Sequence, residues 1–172
     1  DDFDHNGGYD SLKDKIEIKQ VIEDSNQLVH VDYPFYLLLS ERESKDTNDS
    51  SLISYFTYDH LTYLFMGDAS KQIEKQLMAT YDLKADVIKV GHHGSNTSSD
   101  PDFLDSLDCK VALISCGYKN KYGHPSVETL KTLENLHINT LCTSDCGSIA
   151  IYSLFHFSFV VTNDGMFGII WT

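Results

Sequence analysis

Apolar positions along the chain switch between a two-residue and a 3.6-residue period, and the changeovers fall at polar or glycine-bearing turns. YPFYLLLS (33–40) and SLISYFTY (51–58) read as strands separated by the charged loop ERESKDTND. LTYLFMGD (61–68) follows Asp59-His60, so 51–66 reads as a hairpin. In ASKQIEKQLMATYDL, Ile73, Leu77 and Met78 recur at helical spacing, and ADVIKV (85–90) is a short apolar strand. The order then repeats, with PDFLDSL (101–107) as a helix, KVALISC (110–116) as a strand, and HPSVETLKTLENL as a helix with Pro125 suited to its first turn. INTLCTS and GSIAIYSLFHFSFVV supply further strands, and TNDG (162–165) is an Asp-Gly turn signal into MFGIIW. The expected architecture is α+β: an all-strand opening, then alternating strands and helices, with helices packed on mixed sheets.

Composition narrows this to one domain spanning 1–172, a length sufficient for a full core. No apolar run approaches the roughly 18 residues that span a bilayer, and no basic segment followed by a short apolar stretch opens the chain. Acidic residues outnumber basic ones by 26 to 13, for a net charge of −13. That balance argues against broad electrostatic capture of nucleic acid, so a polyanion has to be met locally, through metal. The four cysteines do not form two close CxxC pairs, which disfavours a structural zinc site. Cys116 ends an apolar run and reads as a small buried hydrophobe, while Cys142 and Cys146 are close enough for a disulfide in an oxidising environment.

Chemistry-bearing residues gather where strands end: DDFDH at the start, MGD at 66–68, VGHHGSNTSS at 90–99 and YGHP at 122–125. Asp4 and His5 offer carboxylate oxygen and imidazole nitrogen, a set suited to Zn²⁺ or Mn²⁺; a solvated acidic segment is the alternative. Asp68, between Gly67 and Ala69, reads either as a group meant for close approach or as the N-cap of the following helix. His92-His93, flanked by Gly91 and Gly94, is hard to explain as core filling, because each ring brings polar nitrogens that need partners. Ser95, Asn96, Thr97, Ser98 and Ser99 offer donors for phosphate oxygens, or a polar loop with an N-cap. His124 stands where a general acid or phosphate ligand would, and equally where a structural His precedes a helix proline. His30, His60, His137 and His156 lack such contexts.

The ordered set DxDH, NDSS, GDA, KVGHHGSNTSS and NKYGHP resembles the C-terminal metallo-β-lactamase-like domain of ComEC, the membrane channel protein of bacterial DNA uptake. The resemblance runs through nearly the whole chain and implies an αββα sandwich of two sheets with outer helices. It also implies a two-metal site for zinc or manganese, with Asp2 at one metal, Asp4, His5 and His93 at the second, and Asp68 bridging both. His92 would reach the substrate phosphate and His124 would protonate the leaving oxygen, with Ser95, Asn96, Thr97, Asn48 and Ser51 near the phosphate. The activity implied is phosphodiester hydrolysis of DNA, of the strand that does not enter the cell. The implied partners are single-stranded DNA, the membrane-channel portion of the same polypeptide and other competence proteins, and the implied location is the bacterial cell membrane.

Two features depart from the family pattern. The leading histidine of the His-x-His-x-Asp-His metal loop would lie one residue before Asp1, so the chain reads as the C-terminal two-thirds of the domain, with upstream strands absent. Side chains such as those of Phe35, Tyr36 and Leu37 are then expected to lack cover, and the open sheet to self-associate. The middle metal histidine has no counterpart either, because NDSS stands in its place with Asn48 and Ser51. Two rival readings follow: a small-molecule phosphodiesterase with the same metal residues, and a non-catalytic module that guides DNA.

Overall fold

The computed structural model describes residues 8–18, 21, 27–29, 35–38, 46–165 and 167–170. The first element among the described residues is a short helix, α1 (Tyr9–Lys13), with no buried residue. This corrects the expected all-strand opening. Strands β1 (Gln27–Val29), β2 (Phe35–Leu38), β3 (Ile53–Tyr58) and β4 (Leu61–Phe65) form an antiparallel run, with a 3₁₀ turn at Thr47–Ser50 before β3. The chain then alternates through helix α2 (Lys71–Thr80), strand β5 (Val87–Lys89), helix α3 (Pro101–Leu107), strand β6 (Val111–Ile114), helix α4 (Val127–Asn135) and strand β7 (Asn139–Cys142). A single-turn helix, α5 (Thr143–Cys146), precedes β8 (Ile149–Leu154), β9 (Phe157–Thr162) and β10 (Phe167–Ile170).

Two sheets result. One has seven strands in the order β1-β2-β3-β4-β5-β6-β7, parallel from β4 to β7, and the other has three in the order β10-β9-β8. The parallel strands are apolar on both sides, so adjacent residues point into different cores. Ile88, Ala112 and Ile114 pack with Ile73 and Leu77 of α2, Phe103, Leu104 and Leu107 of α3 and Leu133 of α4. Val87 and Val111 turn the other way, and with Leu61, Tyr63 and Leu141 they meet Val160 and Ile170 of the small sheet. A polar link crosses the same interface: His60 Nε2 lies 3.1 Å from Ser158 Oγ, and its Nδ1 lies 3.0 Å from Asp59. The fold is α+β, with helices on one face of a large sheet and a second sheet on the other.

Helix starts follow capping chemistry, with three differences from the sequence reading. Ser70 caps α2 by accepting from Gln72 N, so that duty does not fall to Asp68. Ser126 caps α4, which leaves Pro125 one position before the cap instead of in the first turn. The segment after β7 is helical because the Thr143–Cys146 turn closes on Gly147, whose N–H donates to the Thr143 carbonyl. Leu37 is buried, contrary to the expected loss of cover, while Tyr36 is exposed; the Phe35 side chain lies outside the described residues. Among the described residues, no helix is long and apolar enough to cross a membrane.

Candidate functional site

The carboxyl ends of parallel strands β4, β5 and β6 open on one side of the large sheet. The turn before β3 joins them there, because β3 runs antiparallel to β4. Loops at such strand ends share a crevice by topology alone. Asp68 lies three residues past β4, His92-His93 lie just past β5, and the loop carrying His124 follows β6.

Asp68 is held by its backbone. Its N–H donates to Ser51 Oγ at 2.9 Å, and the carboxylate is 8 % exposed. Gly67 between them has φ +58°, and a Cβ there would stand 2.8 Å from Ser51 Cβ. Glycine therefore lets the turn after β4 close on the turn before β3. Ser70 donates to Asp49 Oδ1 and ties those two turns together again.

The histidine pair adopts a backbone that side-chain-bearing residues rarely take. His92 has φ 47° and ψ 44°, and His93 has φ 54° and ψ 23°, both in the left-handed region. Such residues cost on the order of 1–3 kcal/mol each and persist where surrounding structure over-determines them. Here the surroundings include His92 N donating to the Gly67 carbonyl, Ser95 N donating to the His92 carbonyl, and Ser98 Oγ donating to the Gly91 and Ser95 carbonyls. The rings are thereby aimed with precision. His93 Nδ1 lies 2.7 Å from the Ser115 carbonyl, an atom that only accepts, so Nδ1 carries a proton. In the neutral ring Nε2 then presents a lone pair, and it lies 3.6 Å from Asp68 Oδ1. A carboxylate oxygen and an imidazole lone pair placed face to face repel unless a proton or a cation sits between them.

The donor set fits a divalent metal. Two ligands about 2.1 Å from one tetrahedral zinc are about 3.4 Å apart, close to the spacing observed, and a second-shell carbonyl fixes the imidazole tautomer as such sites require. No group of three or more His, Cys, Asp or Glu side chains forms such a site among the described residues. The expected ligands Asp2, Asp4 and His5 lie outside those residues.

His92 Nδ1 shares a 3.1 Å hydrogen bond with Thr97 Oγ1, and its ring centroid lies 5.8 Å from that of His124. Burial pushes the His124 pKa down, the neighbouring His92 and His93 add to this, and Asp68 opposes it. Of the residues expected near phosphate, Asn96 and Thr97 are exposed. Ser95 is buried, with its hydroxyl accepting from Thr97 Oγ1; Asn48 is half-buried in the 3₁₀ turn, and Ser51 receives the Asp68 N–H.

Four features of the site escaped the sequence reading. The Ser115 carbonyl is one, and no side-chain pattern signals a backbone acceptor. Asn120 is another: it receives the His124 N–H and returns its own amide to the His124 carbonyl, bracing the ring's backbone. Tyr122 stacks on His124 at 5.8 Å with an interplanar angle of 18°. Lys89 is the fourth; burial pushes its pKa down, while Asp68 and then Cys116 hold it up. A lysine inside the apolar run ADVIKV was the available signal. The cysteines form no disulfide, including the Cys142–Cys146 bridge that an oxidising environment would allow. Cys116 and Cys142 sulfurs lie 3.3 Å apart, whereas Cys146 Sγ donates to the Cys142 carbonyl, and all four cysteines are free.

No protein-family profile matches the chain. It is 36% identical over 120 residues to ComE operon protein 3 of Bacillus subtilis (strain 168), a match covering 69% of this chain and 16% of that protein. It is 34% identical over 121 residues to competence protein ComA of Neisseria gonorrhoeae, covering 69% and 17% respectively. Recombination protein 2 of Haemophilus influenzae is 33% identical over 88 residues, which cover 51% of this chain and 11% of that protein. The matched region spans about one sixth of the length of the first two relatives. The chain is thus related to bacterial competence proteins of the ComEC family.

Proposed function

We propose that the chain is a metal-dependent phosphodiesterase module of a DNA-uptake protein, built on a metallo-β-lactamase-like sandwich and acting on DNA at the bacterial membrane. The observation that carries this reading is the 3.6 Å approach of Asp68 Oδ1 to His93 Nε2, with the imidazole tautomer fixed by Ser115. Asp68 would serve two ions, one held also by Asp2 and the other also by Asp4, His5 and His93. A bound zinc or manganese supplies Lewis-acid stabilisation of phosphate charge and a water activated near neutral pH. The protein's own groups do the rest. His92, braced by Thr97, faces the incoming phosphate. His124 would deliver a proton to the leaving oxygen; burial, His92 and His93 push its pKa down, and negative charge on a neighbouring phosphate would oppose that shift as Asp68 does. Other competence proteins and the channel portion of the polypeptide are the proposed partners.

A second reading, a module that binds DNA without cutting it, draws on NDSS: Ser51 spends its hydroxyl on the Asp68 backbone and brings no imidazole. Calorimetric titration with Mn²⁺ or Zn²⁺, beside hydrolysis of single-stranded DNA with and without EDTA, separates the two. The hydrolase reading expects metal binding that His93→Asn abolishes and EDTA-sensitive cleavage. Metal-independent DNA binding without cleavage would leave the second reading in place.

A further inference from the structure

The loop between β6 and His124, Gly117-Tyr118-Lys119-Asn120-Lys121-Tyr122-Gly123, puts two aromatic rings into solvent. Tyr118 is 74 % exposed and Tyr122 69 %, although a tyrosine normally hides most of its ring. Both are oriented. Asn120 donates through Nδ2 to the Gly117 and His124 carbonyls and accepts the His124 N–H, which fastens the loop at both ends. Lys119 Nζ lies 5.2 Å from the Tyr118 ring centre and Lys121 Nζ lies 4.7 Å from that of Tyr122, so each ring has a cation beside it. These are two of only 13 basic residues in a chain of net charge −13. The row of rings continues inward, since Tyr122 stacks on His124 and His124 lies 5.8 Å from His92.

We propose that this loop is a platform for unpaired nucleobases: Tyr118 and Tyr122 stack successive bases, Lys119 and Lys121 meet the adjoining phosphates, and the strand is led past His124 towards Asp68 and His93. The proposal rests on the phosphodiester reading for what happens at the end of that path. Every base has a π-face, so stacking tolerates any sequence, but a duplex keeps those faces inside its own stack. The loop therefore selects single strands over paired ones. Because its ends are pinned, little ordering is lost on binding, which favours affinity from a small surface.

The test is fluorescence anisotropy of this chain with a labelled 12-nucleotide single strand, the matching duplex, and an abasic strand of the same length, all in EDTA so that nothing is cleaved. The wild-type chain is expected to bind the single strand more tightly than either comparison ligand. The Tyr118→Leu/Tyr122→Leu double variant is expected to lose affinity for the single strand by about ten- to hundredfold, as for one or two lost base stacks. Tyr118→Phe/Tyr122→Phe is expected to keep it. Far-UV circular dichroism checks the fold of each variant, whose changes are confined to exposed rings. Equal binding of single strand and abasic strand, or an unchanged affinity in the leucine variant, would overturn the platform. Hydrolysis of a base-free phosphodiester by the wild-type chain with Mn²⁺ is scored separately. Its absence beside tyrosine-dependent binding sinks the phosphodiesterase reading and leaves the platform, and its presence beside tyrosine-independent binding does the reverse.

Discussion

His93 carries its proton on Nδ1 because a carbonyl stands 2.7 Å away, and that one hydrogen bond decides what Nε2 can do opposite Asp68. His124 differs: its ring stacks on Tyr122 and lies tilted against His92, at centroid distances of 5.8 Å each. A ring so placed serves proton transfer more readily than ion binding. His124→Ala is therefore expected to lower phosphodiester turnover by about 10²–10⁴-fold while metal content, measured by mass spectrometry of the dialysed protein, stays that of the wild type. Loss of metal in parallel with turnover would place His124 among the ligands instead. Gly94 is constrained by the same neighbourhood. Its φ is +80°, and a Cβ there would stand 2.8 Å from Pro125 Cβ. Gly94→Ala should cost on the order of 1–3 kcal/mol in urea denaturation and displace the His124–Pro125 segment, since Ser126 N also donates to the Gly94 carbonyl.

Element by element, the loops of the site are held by helix α2. Glu74, in its first turn, is 1 % exposed and accepts from Ser99 N at 2.8 Å and from Asp100 N, which fixes the end of the GHHGSNTSS loop. Burial nonetheless pushes its pKa up from 4.5 to about 7, with the two N–H groups opposing, then Asp100 raising it and Lys71 lowering it. Below about pH 4.5 the carboxyl is protonated in folded and unfolded chains alike. Between there and about 7 only the folded chain keeps its proton, so stability falls as pH rises through that window, by on the order of 3 kcal/mol. Urea midpoints at pH 5 and pH 8 are expected to show that drop in the wild-type chain and a much smaller one in Glu74→Gln. Elements of this kind were legible in sequence when an apolar period and a cap agreed, as in PDFLDSL, where α3 spans Pro101–Leu107 as expected and Asp100 supplies the cap. The loop histidines were legible because paired imidazoles between glycines have no core explanation. What was hidden depended on the third dimension: Glu74 looks like an ordinary exposed helix residue, and the first half of α5, Thr143-Ser144, closes the run INTLCTS that reads as a strand. The Ser115 carbonyl and the Tyr122–His124 stack have no signature along the chain at all.

At the scale of the molecule, the site sits at one end of a sandwich whose overall charge works against it. A net charge of −13 repels any polyanion at distance, while Lys119 and Lys121 act only within the few ångströms of their own loop. Most nucleic-acid-binding proteins gain affinity and association rate as salt is lowered, through long-range attraction and the release of counterions from neutralised phosphates. Here the two effects oppose each other. Two local contacts give a release slope of about −1.4 for log K against log salt on a single strand, at roughly −0.7 per contact, and screening of the whole-chain repulsion pulls the slope towards zero. Association should accordingly speed up when salt is added from a low starting concentration, because salt shields the acidic surface before it reaches the lysine pair. Stopped-flow anisotropy with a labelled single strand, run in EDTA from about 0.01 to 0.15 M salt, reads both quantities, over a range in which the screening length falls from about 30 to about 8 Å. A slope steeper than about −3, or an association rate that falls monotonically with salt, would mean that a larger basic surface captures the strand and that contact at the crevice is not local.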